Sequence, residues 1–196
     1  VLCPACRGLA AYDATRARLA ASPVTQFSCL TMTSSKVPSR KVVFLRHGES
    51  IWNQARRFTG WADVPLSKTG ELQALQAGQL LKSNNYTFDV CFSSCLRRSI
   101  DTLHIVSDTL GIDVPVHRSW RLNERHYGAL QGLNRDEVRK QYGSEQVTVW
   151  QQQFEVAPPP LETGDVRFPG HDPRYAELAI DDLPRTCLLY TSDAAD

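Results

Sequence analysis

From Lys41 onward, short apolar runs rich in β-branched residues alternate with segments of helical spacing, and this alternation constrains the fold more than any other feature of the chain. Val42 to Leu45 reads as a buried strand that stops at Arg46-His47-Gly48. Ser67 can cap a helix running to about Lys82, with Glu71 in its early turns and Leu72, Leu75, Leu80 and Leu81 as its apolar surface. Asp89 to Phe92 reads as a second strand. Leu96, Ile100, Leu103, Val106 and Leu110 then mark one stripe of a long helix. Val114 to Val116 is a third, short strand. Asn134 and Glu137 make a capping-box-like start for a helix to Tyr142 closed by Gly143, and a further helix from Ser144 must stop before Pro158. The expected fold class is α/β, a mainly parallel sheet flanked by helices.

Residues 1–31 are rich in Ala, Arg, Ser and Thr, with Asp13 their only acid. That composition fits a transit peptide, and equally sequence upstream of a start at Met32. Cys3 and Cys6 form a C-x-x-C with no second pair at ligand spacing, so unpaired thiols are the simpler reading. The absence of a disulfide framework favours a reducing compartment: cytoplasmic, or organellar if residues 1–31 are a transit peptide. The formal net charge of +1 gives no global field for nucleic acid or an anionic membrane, and no apolar run reaches the roughly 18 residues of a spanning helix. Anion binding must therefore be local.

Strand ends are where ligands gather in open α/β sheets, and here they carry cations. Arg46 offers a planar fork of donors for phosphate oxygens, His47 a ring nitrogen that is a nucleophile near neutral pH, and Gly48 close backbone approach to a bulky anion. The second strand leads into Arg97-Arg98 at a helix N-terminus, where free N–H groups favour anions but Arg itself is unfavourable, so another interaction must offset it. The third leads to Asn123-Glu124-Arg125-His126-Tyr127, a carboxylate among cations that is either a salt-bridge partner or a general acid/base. No cluster of Asp, Glu and His has the spacing of a magnesium or zinc site, so a metal-free site is expected.

Five segments, LRHGESIWN, RFTGWADVPLSKTG, SSCLRRSIDTL, LNERHYGALQGLN and FPGHDPRY, together resemble the 2,3-bisphosphoglycerate-dependent phosphoglycerate mutases of the histidine phosphatase superfamily, over about Lys41 to Thr186. The resemblance implies a phosphohistidine at His47 and a proton donor/acceptor at Glu124, with Arg46 and Arg98 stabilising the transferred charge. It places Arg46, Ser50, Asn53, Thr59, Gly60, Arg98 and Tyr127 on phosphate- and substrate-contacting positions, puts Arg125 and His126 in the same binding segment, and sets Arg135 where a lysine is usual. The implied reaction interconverts 3-phosphoglycerate and 2-phosphoglycerate, with 2,3-bisphosphoglycerate as primer and no metal. The expected partners are small-molecule phosphoglycerates, with a homo-oligomer left open and neither nucleic acid nor membrane.

Two departures bear on that expectation. Gln151 and Gln152 stand where the family places two arginines, which would weaken the hold on a carboxylated, phosphorylated substrate. The family's second catalytic histidine follows a further strand, and the sequence ends before any such motif, so the chain reads as a fragment of a mutase, expected to be inactive as it stands. The expected organisation is an N-terminal extension over 1–40, a truncated mutase-like domain over 41–186, and a tail over 187–196 foreign to the family. A phosphatase of the same superfamily and a non-catalytic phosphate-binding module are the competing readings.

Overall fold

The computed structural model describes residues 28–31, 41–153 and 155–187. Strand β1 (Ser28–Thr31) runs antiparallel to β2 (Lys41–Phe44), with Cys29 opposite Val43. A four-residue helix, α1 (Ile51–Gln54), follows the loop that carries His47, and α2 (Lys68–Ser83) comes next. Strand β3 (Cys91–Ser93), helix α3 (Arg97–Leu110) and strand β4 (Val116–Arg118) form a βαβ unit whose strands pair in parallel. Helices α4 (Arg135–Tyr142) and α5 (Ser144–Gln152) complete the regular elements, and single 3-10 turns carry the chain from Pro169 to Asp182.

The fold is α/β with helices beside a parallel strand pair. The expected mainly parallel sheet is realised as two separate two-stranded ladders, β1–β2 antiparallel and β3–β4 parallel. Of the expected 1–40 extension the described residues are those of β1, and of the expected 187–196 tail only Cys187 is described. Cys187 itself is buried and donates its N–H to the carbonyl of His126.

Local chemistry explains the helix ends. Ser67 accepts from the N–H of Gly70, and Asn134 from those of Asp136 and Glu137, each satisfying orphan donors of a first turn. Helix α3 stops at Gly111 in the left-handed region (φ 72°).

The buried face of α2 differs from the leucine-based expectation. Gly70, Ala74, Ala77, Gly78 and Leu81 are buried, while Leu72, Leu75 and Leu80 are exposed. Close packing on α3 is the reason: a Cβ added at Gly78 would come within 2.7 Å of the Thr109 Cβ, so only small residues fit that seam. Three apolar clusters hold the molecule. Ala77, Leu81 and Val106 join α2 to α3. Phe58, Leu130, Val138, Val147 and Trp150 anchor α4 and α5, and Trp61, Phe168, Tyr175 and Leu183 pin the C-terminal turns.

Candidate active site

The loop after β2 lies against the first turn of α2. A Cβ at Gly48 would sit 2.3 Å from the carbonyl oxygen of Gly70, and one at Gly70 would sit 2.0 Å from that of Glu49. Two glycines back to back let the loop lie on the helix end. Ser67 ties the contact down, donating its hydroxyl to Glu49 at 2.7 Å while its N–H bonds the Glu49 carbonyl.

His47 is therefore presented in one orientation. Its Nδ1 lies 2.7 Å from the carbonyl of Gly48, an acceptor only, which makes Nδ1 the protonated nitrogen and leaves Nε2 bare. Arg98 Nε donates to that Nε2 at 3.2 Å. Burial, then the charge of Arg98, push the pKa of His47 down to about 4, with a smaller contribution from Arg46 and opposing ones from the Gly48 bond and Glu124. At neutral pH the ring is uncharged and its free nitrogen faces cations, as a nucleophile toward a phosphate ester requires.

Arg98 is fully buried at the first turn of α3, and each of its three side-chain nitrogens is bonded within the protein. Its Nη1 donates to the carbonyl of Ala62 at 2.9 Å, and its Nη2 to that of Gly60 at 2.7 Å and to Glu124 Oε2 at 2.9 Å. These bonds offset the unfavourable placement of a cation at a helix N-terminus. Gly60 supplies its carbonyl from a left-handed conformation (φ 55°), and a Cβ there would meet Gln131 at 2.5 Å. Glu124 reaches the site from the turn after β4, where the indole N–H of Trp61 holds its backbone carbonyl at 2.8 Å.

The structure thus brings together His47, Arg98, Glu124 and Gly60. Arg46 is exposed, and its charge bears on both His47 and Tyr127. Around Tyr127 lies a second group of cations: Arg125, Arg135 and Arg46 all act on its phenol, whose pKa burial and Glu124 push up. Arg125 is buried, donating Nε to the Cys187 carbonyl and Nη2 to that of Val156, while its Nη1 is buried without a partner. Arg135 Nε and Thr59 Oγ1 are in the same condition.

Other expected contacts are engaged elsewhere. Ser50 and Asn53 form a capping box for α1: the Asn53 N–H donates to Ser50 Oγ at 3.1 Å, and the Ser50 N–H to Asn53 Oδ1 at 3.0 Å. His126 departs from its expected place in the binding segment. It is wholly buried, accepts the N–H of Gly128 on Nδ1, faces the Gln131 amide and packs edge-on against Trp61. Burial, then Arg167, lower its pKa to about 4. Gln151 is half-buried, and Gln152 borders an outer cleft with Ser144, Glu145 and Thr148. Among the described residues no group of three or more His, Cys, Asp or Glu could hold a metal, and no helix is long and apolar enough to cross a membrane.

Sequence reasoning missed Trp61 and Gln131, whose side chains fix the Gly60 turn. Gln131 Oε1 accepts the Trp61 N–H at 2.6 Å. Both lie inside quoted segments, but a tryptophan and a glutamine carry no chemistry of their own to flag them.

A neutral histidine in the loop after β2, a buried arginine on its unprotonated nitrogen and a carboxylate across that arginine suit the capture of a phosphoryl group. Residues 42–166 match the histidine phosphatase superfamily (branch 1). The chain belongs to that superfamily. It is similar to a solved mycobacterial glucosyl-3-phosphoglycerate phosphatase in complex with VO3, at 30% identity and a TM-score of 0.51, over 58% of this chain and 52% of that one. A second solved protein, mycobacterial hydrolase 1, matches at 30% identity and a TM-score of 0.50 over the same shares. The chain spans about half the length of these relatives.

Proposed function

We propose that the chain carries the nucleophilic half of a phosphoryl-transfer site, with His47 as the covalent acceptor. The observation that carries this reading is the neutral ring with a bare Nε2 against Arg98. The Nε2 lone pair attacks phosphorus as the P–O bond to the leaving oxygen breaks. Arg98 Nε then exchanges its bond to the ring for one to a phosphoryl oxygen, and Arg46 lies near enough to add charge. Fixed donors of this kind supply most of the catalysis in phosphoryl transfer, because charge spreads over the equatorial oxygens. Glu124, partly exposed beside Arg98 as a carboxylate, takes the proton of the hydroxyl that receives the phosphoryl group from His47, and returns it to the leaving oxygen when the next phosphoryl group moves to His47.

The finer reading is a phosphoglycerate mutase that interconverts 3-phosphoglycerate and 2-phosphoglycerate without a metal. When bound, 2,3-bisphosphoglycerate would supply the priming phosphoryl group. Its second anionic group finds compatible residues here: Thr59, Arg125 and Arg135 each keep a buried polar atom without a partner, and Tyr127 sits among the cations. A phosphatase, releasing phosphate from His47 to water, is the second reading. The similarity to a mycobacterial glucosyl-3-phosphoglycerate phosphatase favours it. A non-catalytic phosphate-binding module is the third.

One pair of assays separates them. A mutase converts 3-phosphoglycerate to 2-phosphoglycerate at a rate that depends on added bisphosphoglycerate, with little free phosphate. A phosphatase liberates phosphate without isomerising. Ligand binding with neither activity leaves the binding module.

A further inference from the structure

Thr102 lies one turn beyond Arg98 on α3 and is buried. Its hydroxyl donates to the carbonyl of Arg98 at 2.7 Å and accepts the backbone N–H of Gly48 at 3.1 Å. The first bond is ordinary, since a threonine within a helix often bonds the carbonyl four residues back. The second joins the helix that carries Arg98 to the loop that carries His47.

Thr109 provides the contrast on the same helix. It makes the same backward bond, to Ile105 at 2.6 Å, and its side chain faces Gly78, but its hydroxyl accepts no backbone N–H among the described residues. The Gly48 bond is thus not a by-product of threonine in a helix.

Gly48 is gripped at both ends: its N–H by Thr102, its carbonyl by Nδ1 of His47. On the opposite side the backbone of Gly70 leaves it no room to turn. We infer that Thr102 is a positioning residue for His47, fixing the Gly48 backbone so that the ring keeps its Nδ1–H tautomer and aims Nε2 at Arg98. This inference rests on the reading of His47 as nucleophile only for its functional meaning, because the ring's orientation is measurable without any phosphoryl donor.

The charged groups facing the ring are Arg98 from α3, Arg46 from its own loop and Glu124 from the turn after β4; from α2 the loop meets the backbone of Gly70. Losing the Thr102 grip lets the ring draw away from Arg98 and toward water, and both changes ease its protonation.

The test is nitrogen NMR of the full chain labelled in histidine, with the His47 signals assigned by their loss in His47→Ala. The unsubstituted chain should show Nδ1–H and titrate near 4. In Thr102→Val, which keeps the shape and removes the acceptor, the midpoint should rise by about one unit or more and the Nε2–H form should become populated. Thr102→Ser should restore the parent behaviour, and Thr109→Val should leave His47 unchanged. A folded Thr102→Val chain with the parent tautomer and midpoint overturns the inference. Hydrogen exchange of the Gly48 amide in the unsubstituted chain needs no variant: protection supports the grip, and exchange as fast as an open loop overturns it. Failure of His47 to accept phosphate would sink the proposed function and leave these results standing.

Discussion

Arg98 and Arg125 are both buried arginines, yet their surroundings are opposite. Arg98 spends all three nitrogens on His47, Ala62, Gly60 and Glu124. Arg125 has two carbonyl partners, an idle buried Nη1 and no salt bridge among the described residues, and Arg135 leaves its Nε idle over the Phe58 ring. Burial lowers the pKa of both Arg98 and Arg125, but only for Arg98 does a carboxylate push back. The difference teaches a division of labour. In the first region every nitrogen of the arginine is bonded within the protein; in the second, Arg125 Nη1 and Arg135 Nε are buried without a hydrogen-bond partner, and the proposed anionic ligand would supply one.

Removing Arg98 should break the first region outright. Arg98→Met leaves Glu124 and the carbonyls of Gly60 and Ala62 without their donor, and should cost about 3–5 kcal/mol of stability by urea denaturation. A loss under about 1 kcal/mol would mean that the region is not held by these bonds.

Acid should strain the molecule at two histidines. His47 and His126 both have folded pKa values near 4 against 6.5 unfolded, so the unfolded chain binds more protons between those values. Their stabilisation is complete above pH 6.5 and falls as pH drops through 4, by about 3 kcal/mol for each ring. Denaturation midpoints at pH 7 and pH 4.5 check this, and His126→Phe should flatten part of the slope.

The second region should respond in binding rather than in folding. Arg135→Met should cost the fold only about 0.5–1 kcal/mol, the worth of its contact with the Phe58 ring. It should weaken bisphosphoglycerate, measured by calorimetry, about ten-fold or more, because a charged hydrogen bond is lost. Equal losses in both quantities would erase the distinction between the regions.

Much of this was legible beforehand and some was not, for physical reasons. The caps at Ser67, Asn134 and Gly143 are local events, set by residues within a few positions; the strand before His47, expected to be buried through Leu45, ends at Phe44, with Val42 and Phe44 exposed. The buried face of α2 was not local: leucines turned outward because the Gly78–Thr109 seam admits only small residues. The saturation of Arg98 likewise depends on Gly60, Ala62 and Glu124, which the chain brings in from two separate turns. His126 lies beside Arg125 in sequence, yet it turns into the core on Trp61, a direction no single-residue chemistry announces. The left-handed Gly128 (φ 54°) shares that origin, since a Cβ there would sit 2.0 Å from the carbonyl oxygen of Pro159.

The smallest effect concerns Gln151 and Gln152 at the last turn of α5. Replacing both with Arg should tighten phosphoglycerate by about two- to five-fold at low salt, the range of partly exposed charges, and the gain should shrink as salt is added. An unchanged affinity at low salt would make Arg125 and Arg135 sufficient for the second anionic group.

The account stands on His47 as the covalent acceptor, and a labelling experiment reaches it directly. Incubation of the chain with bisphosphoglycerate carrying labelled phosphate should give an acid-labile phosphoprotein. The label should be absent from His47→Ala. Label that persists in His47→Ala, or a chain that takes up none while binding the ligand, would contradict it.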